Sequence, residues 1–245
     1  MDAGDWDRRI QHLDASRLLL ELAQFFPMFA CDLDLNIPES KNTFPDIVDE
    51  ALWNVDFYKR LQIPEGGIRG GIESAQHPRY GEMSWQELLT VMTYAPGVWS
   101  SYIYAGVAAR ASSVVRSYNP KRADEYLQSA LHAMEWAENE LPTLSDLPHQ
   151  VNDSRNLAAA ELYRVTGDEH WHQLFLNTTV FTDPDADVYE WQSHDQADAA
   201  WVYVVTQNRS VDEQIVENCY NALIRDADQR EQMASSTSYR FTKRP

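Results

Sequence analysis

Asp153-Ser154-Arg155-Asn156-Leu157-Ala158-Ala159-Ala160-Glu161-Leu162-Tyr163-Arg164-Val165-Thr166-Gly167-Asp168 reads as one helix, its stop and the start of the next. Residues 153 to 165 suit a helix, and Gly167 suits the left-handed backbone that closes one. Asp168 follows at once as an N-cap, its carboxylate placed to accept from the first free amides of a short further helix. Two helices with almost no linker between them pack as an antiparallel hairpin, and the rest of the chain repeats that theme.

Toward the N-terminus, residues 7 to 26 suit a first helix, with Ile10, Leu13 and Arg17 in one row and Leu18, Leu22 and Phe25 continuing an apolar stripe; Pro27 stops it. Thr43 reads as the N-cap of a second helix running to Gln62, with Pro45 in its first turn and Ile47, Ala51, Val55 and Tyr58 turned inward. Residues 64 to 97, rich in Gly and Pro, form the longest irregular stretch, with a capping box at Ser84-Trp85-Gln86-Glu87; Trp85 and Trp99 read as core or loop packing. A small-residue helix is expected over 100–118, and Asn119-Pro120 caps another that carries Ala123, Leu127, Ala130, Leu131, Met134 and Ala137. Two more helices are expected near 194–206 and 211–232, the last opening on the capping box Ser210-Val211-Asp212-Glu213. The fold class is all-α: about eight helices, no substantial sheet, no strict repeat period, and one domain over 1–245.

The 245 residues hold 38 acidic and 20 basic side chains, a net charge of −18, which repels phosphate and argues against nucleic acid and anionic membrane as partners. No apolar stretch has membrane-spanning length, and Met1 to Asp7 lack the positive start and apolar core of a signal peptide. Cys31 and Cys219, far apart in sequence, offer no zinc or redox spacing and read as buried thiols. No cofactor is expected.

Asp2 and Asp5 stand three residues apart in a glycine-containing turn before the first helix. Residue types alone allow two readings: Asp5 as an N-cap beside a solvated Asp2, or a carboxylate pair that grips and deprotonates one water. Asp2-Ala3-Gly4-Asp5 resembles the catalytic-base motif of glycoside hydrolase family 9. In the family's order follow Asn36-Ile37-Pro38-Glu39-Ser40 and Pro45-Asp46-Ile47-Val48-Asp49-Glu50-Ala51, similar to its "IPES…PDILDEA", then Gln62 to Gly67, similar to its "Q-x-P-x-GG". Tyr104-Ala105-Gly106-Val107-Ala108-Ala109 resembles its alanine-rich helix, and the opening stretch is close to its "DERxWAAAELYRATGD".

The resemblance implies an (α/α)6 barrel, incomplete here, because the family's first helix, its "GWGSN"-like segment and its glutamate acid have no counterpart at either end. It implies inverting hydrolysis of β-1,4-glucan, with Asp5 as general base and Asp2 helping to hold the water. An inverting glycosidase needs a second carboxyl group about 6.5–9.5 Å away as acid. No Glu here sits in a matching motif; Glu213, Glu217 and Glu231 read as the solvated face of the last helix. A β-linked oligosaccharide or polysaccharide is then the partner, held by Trp6 and Trp191 as aromatic platforms and by His77 and Arg79 in the long loop. Trp6 is equally readable as a staple onto the first helix, and His77 as a surface residue. The Asp-Trp-Asp-Arg-Arg run after the base motif resembles a branch with exo-β-glucosaminidases, and a non-catalytic sugar- or protein-binding helical module is a further alternative. The acidic pairs that bind calcium in some members have no match at Arg155-Asn156, so no metal is expected. The resemblance favours an extracellular location, and uncovered helix faces would promote self-association.

Overall fold

The computed structural model describes residues 10, 12–76, 79–86 and 88–238. The chain divides into two compact units, Met1–Leu144 and Ser145–Pro245.

In the first unit α1 (His12–Phe25), α2 (Pro27–Asp32) and α3 (Asp46–Arg60) precede a short antiparallel hairpin of β1 (Ile72–Ser74) and β2 (Val91–Thr93), then α4 (Val98–Val115) and α5 (Pro120–Glu140). α4 is buried nearly all round, as expected of a helix whose small residues let neighbours approach from every side. It packs against α1 and α5, and α1 packs against α3.

The buried face of α1 is Leu13, Ser16, Arg17, Leu20 and Ala23, whereas Leu18 is 56% and Phe25 39% exposed, so the expected apolar stripe is displaced. The reason is ionic. Arg17 Nη1 lies 3.3 Å from Glu21, and the fully buried Arg110 of α4 lies 3.6 Å from the same carboxylate. Once two guanidiniums are buried, their shared carboxylate fixes the rotation of α1, because a buried charge is tolerated only beside its partner. Pro27 ends α1 as expected but also opens α2, where Phe26, Met28 and Phe29 face outward.

The α3 cap differs from the expectation at Thr43. The N-cap is Pro45, while Asp46, in the first turn, accepts from Leu35 N (2.8 Å) and Ser40 Oγ (2.6 Å) and ties the Asn36–Ser40 turn to the helix start. The Asn119 cap on α5 holds, its Oδ1 accepting from Arg122 N at 3.0 Å. Arg122 and Tyr126 both donate to Asp56 at 2.6 Å, joining α5 to α3.

The turn after α3 is pressed against α5. Gln62 donates to Gly66 O (2.8 Å) and Ser129 O (3.0 Å) and accepts from Ser129 Oγ (2.7 Å). Gly66 has φ +114°, and a Cβ there would lie 2.4 Å from His132 O; one on Gly67 would lie 2.6 Å from Trp136. Both glycines are therefore required by the close approach of backbone to helix. Trp85, expected to pack, is 79% exposed in the β1–β2 loop, within a 3₁₀ turn over Ser84–Gln86 rather than a capped α-helix.

In the second unit α6 (His149–Thr166) and α7 (Glu169–Thr178) form the expected hairpin. Gly167 takes φ +72°, and Asp168 accepts from His170 N at 2.9 Å. A second short hairpin follows, β3 (Tyr189–Glu190) with β4 (His194–Asp195), then α8 (Ala197–Val204) and α9 (Glu213–Ser236). The expected helix over 194–206 thus gives its first residues to a strand. The cap of α9 is Asp212, accepting from Gln214 N and Ile215 N, and not Ser210, whose carbonyl accepts from the Tyr163 hydroxyl. Both cysteines are free; Cys219 is buried, and burial pushes its thiol up to about 12, while Cys31, expected to be buried, is exposed.

Gly66→Ala tests the close approach. A forced left-handed alanine overlapping a carbonyl should cost roughly 2–4 kcal/mol, read as a lower midpoint in denaturant unfolding; an unchanged midpoint would show that the turn is free to move off α5.

Candidate functional site

Of the residues singled out by sequence, Asp2, Asp5, Trp6 and His77 lie outside the described residues. Arg79 is exposed in the β1–β2 loop of the first unit, its amide donating to Glu82 Oε2 at 2.9 Å. Trp191 stands in the second unit at the tip of the β3–β4 hairpin, 64% exposed. Glu213, Glu217 and Glu231 are exposed on α9, as expected.

The Trp191 tip is a four-residue turn, closed by Ser193 N donating to Glu190 O at 3.0 Å. Gln192, third in the turn, has φ +61°. That left-handed backbone is normally left to glycine in a turn. A glutamine there carries about 1–2 kcal/mol of backbone strain, which the surroundings must hold in place.

They do so through a buried carboxylate, a side-chain amide, a histidine and an arginine. Asp153 of α6, 8% exposed, accepts from Asp195 N (2.8 Å) with one oxygen and from Gln196 Nε2 (3.1 Å) with the other. Gln196 also donates to Thr178 O (3.1 Å) and accepts from Val180 N (3.0 Å), and its own amide meets Val188 O at 2.9 Å. His194 Nε2 donates to Asp187 O at 2.8 Å, which fixes the proton on that nitrogen. Arg225 of α9 donates to Ala186 O at 2.6 Å and lies 3.4 Å from Asp187. The hairpin is thereby held by α6, α9 and the residue that opens α8.

Burial pushes the Asp153 carboxyl above its ordinary 3.8, against the lowering effect of the Asp195 amide, Gln196 and the nearby His149 and His194. The surrounding sequence is acidic: Asp183, Asp185, Asp187, Glu190, Asp195 and Asp198 stand in a stretch with no Lys or Arg between Arg164 and Arg209. Among the described residues no group of three His, Cys, Asp or Glu side chains is placed to hold a metal ion. What the arrangement offers is a solvent-facing indole on a braced turn, flanked by the exposed Glu190 carboxylate. Aromatic faces of this kind bury flat apolar surface while leaving rim hydrogen bonds free.

Sequence reading found Trp191 but not the groups that hold it. Asp153 was visible only as the first residue of a helix, and Gln196 carried no signal, since its four partners come from three separate segments.

The raised Asp153 carboxyl sets a sign for pH dependence. The native chain holds this proton more tightly than the unfolded chain, so the group's stabilising contribution is fully present below 3.8 and is lost as pH rises through the raised folded value. Across acidic pH above 3.8, unfolding free energy should fall more steeply with rising pH in the unaltered chain than in Asp153→Asn. A carboxyl titration by NMR placing Asp153 at or below 3.8 would reverse the sign.

The profile of glycosyl hydrolase family 9 matches residues 15–243. Endoglucanase D of Acetivibrio thermocellus is 23% identical over 247 aligned positions, which cover 93% of this chain and 38% of that protein. Endoglucanase C of Cellulomonas fimi is 28% identical over 179 positions, covering 64% of this chain and 15% of its own length. Among solved structures, the family 9 endoglucanase J30 superposes with a TM-score of 0.81 at 20% identity, over 96% of this chain and 46% of that one. A Bacteroides ovatus family 9 protein does so with a TM-score of 0.77 at 20% identity, over 95% and 46%. The chain thus spans less than half the length of these relatives. The likeness shows the fold class, all-α and an incomplete (α/α)6 barrel. With its helical hairpins superposing on these structures and the family profile running along nearly all of it, the chain belongs to glycosyl hydrolase family 9.

Proposed function

We propose that the protein belongs to a machinery that hydrolyses β-1,4-linked glucan with inversion, in which Asp5 is the general base and Asp2 helps hold the attacking water. One observation carries the reading: the family profile runs through residues 15–243. The base assignment adds the Asp2-Ala3-Gly4-Asp5 motif, which lies ahead of that match and rests on its resemblance alone. Asp5 would take a proton from water as it attacks the anomeric carbon, and a carboxylic acid on the opposite face would protonate the leaving oxygen. In this reading the acid is not among the 245 residues. Trp191 supplies a stacking face for a sugar ring, with Trp6, His77 and Arg79 as further contacts, in an extracellular setting.

The exposed Glu190 beside Trp191, in a stretch without basic residues, favours one second reading: a glucosamine-containing chain, whose ammonium group a carboxylate would pair with. The exposed Leu18, Phe25, Phe26, Met28 and Phe29 of α1, α2 and the residue between them support self-association, since large apolar patches on soluble chains are interaction sites.

On cello-oligosaccharides the 245-residue chain alone should turn over about 10²–10⁴-fold more slowly than a version extended through the family's acid-bearing segment. Asp5→Asn in the extended version should abolish turnover. Glucosamine oligomers assayed in parallel separate the two sugars. Hydrolysis by the shorter chain at rates indifferent to Asp5→Asn would sink both the base assignment and the missing acid. Sedimentation velocity should show concentration-dependent association that weakens in Phe26→Ser/Phe29→Ser; a monomer at all concentrations removes that partner.

A further inference from the structure

We propose that Asp153 is a positioning residue for substrate, acting through Trp191: its carboxylate anchors the β4 end of the hairpin so that the indole meets a sugar ring in one fixed orientation. The inference rests on Trp191 being a sugar contact, and it adds how that contact is held.

The site under the hairpin presents two donors, Asp195 N and Gln196 Nε2, at 2.8 and 3.1 Å from separate oxygens of Asp153. Only an ionised carboxylate accepts on both sides; asparagine would turn an NH₂ group toward one donor, and leucine would leave both unmet. Burying that charge against neutral amides costs free energy that a fold needing only helix packing would avoid by apolar residues. The second observation is independent of these bonds. Gln192 sits at φ +61° directly after Trp191, a conformation that relaxes unless the turn is held at its base. A strained residue beside a 64% exposed tryptophan, above a buried carboxylate, indicates that the indole's direction, rather than its burial, is what the segment fixes.

The brace is short. Trp191 is four residues from Asp195, and the opposite strand is pinned by His194 to Asp187 O and by Gln196 N to Val188 O. Loss of the Asp153 contacts frees the β4 end from α6, with Gln196 still tied to Thr178, Val180 and Val188. The tip would then sample several orientations while α6 and α7 stay paired through Asn156, whose amide donates to Phe175 O and Thr178 Oγ1.

The test is a double-mutant cycle on oligosaccharide binding by the full chain, with cellohexaose and a glucosamine hexamer as probes in titration calorimetry, at a temperature where every variant is folded. Trp191→Ala should weaken binding about tenfold, the order expected for removing an aromatic anchor. Asp153→Asn should weaken it roughly threefold to tenfold in the unaltered background and not at all in the Trp191→Ala background. Gln192→Gly supplies a readout that a purely structural role would not move: relieving the left-handed strain should raise the unfolding midpoint while lowering affinity. If Asp153→Asn weakens binding equally in both backgrounds, or Gln192→Gly leaves affinity intact, the positioning role is wrong although Trp191 stands as a contact. If Trp191→Ala changes nothing, or the unaltered chain binds neither oligosaccharide, the sugar-contact reading falls and this inference with it.

Discussion

Two donors converge on the buried Asp153 carboxylate, and most of what is irregular in the second unit follows from satisfying them. Segment 179–196 leaves α7, turns, pairs briefly with itself and enters α8; such a path exposes backbone amides and carbonyls that no helix ladder fills. Gln196 absorbs several at once, meeting Val180, Thr178, Val188 and Asp153. With one side chain serving as the hub, the two-residue strands β3 and β4 persist although a hairpin that short has little stability of its own.

The first unit is organised by close approach instead. Gly66 and Gly67 let the chain lie on α5 where any Cβ would overlap His132 or Trp136, and Gln62 converts the approach into hydrogen bonds. On the other side of α4, Arg110 and Arg17 share Glu21, so α1 is oriented by charge as much as by apolar contact. Apart from Arg17 with Glu21, one turn apart on α1, these pairings join residues far apart in sequence, and they override the local pattern. The apolar period of α1 pointed to Leu18 and Phe25, but the helix turns its arginine inward and leaves them in solvent.

That contrast explains what could be read from sequence. Helices with local stop and start chemistry were legible: Asn119 and Asp168 cap where their side chains predict, and Gly167 closes α6. At α3 and α9 the N-cap lies two residues beyond the expected one. In α3 that residue is Pro45, with Asp46 drawn to the Asn36–Ser40 turn, and in α9 it is Asp212, while the Ser210 carbonyl accepts from Tyr163. The β3–β4 hairpin was invisible, since two-residue strands leave no alternation to detect and its left-handed turn residue is a glutamine rather than a glycine. Trp85 shows the same limit in reverse: an aromatic residue near a cap signal suggested packing, yet it projects from a loop into solvent. Of the site, the exposed aromatic was readable from its resemblance to the family, but its support was not, because that support is assembled only by the fold.

The support also bears on how far the family pattern can be carried to this chain. Asp153 stands at the first position of the stretch that matches the family's helix, where the neighbouring residues here are Ser154, Arg155 and Asn156. Its two oxygens are both occupied by donors of the chain itself, so its charge is answered by amides inside the protein. An anchor of that kind tolerates little change in partner: lengthening or neutralising the side chain leaves a buried N–H unmet, at about 1–3 kcal/mol each. The stretch that it holds is, by contrast, open to change at its surface, since Trp191 and Glu190 face solvent. The hairpin thus carries its constraint at Asp153 and Gln196, inside the protein, and presents Trp191 and Glu190 to solvent, so that a change at the tip need not disturb the packing beneath it.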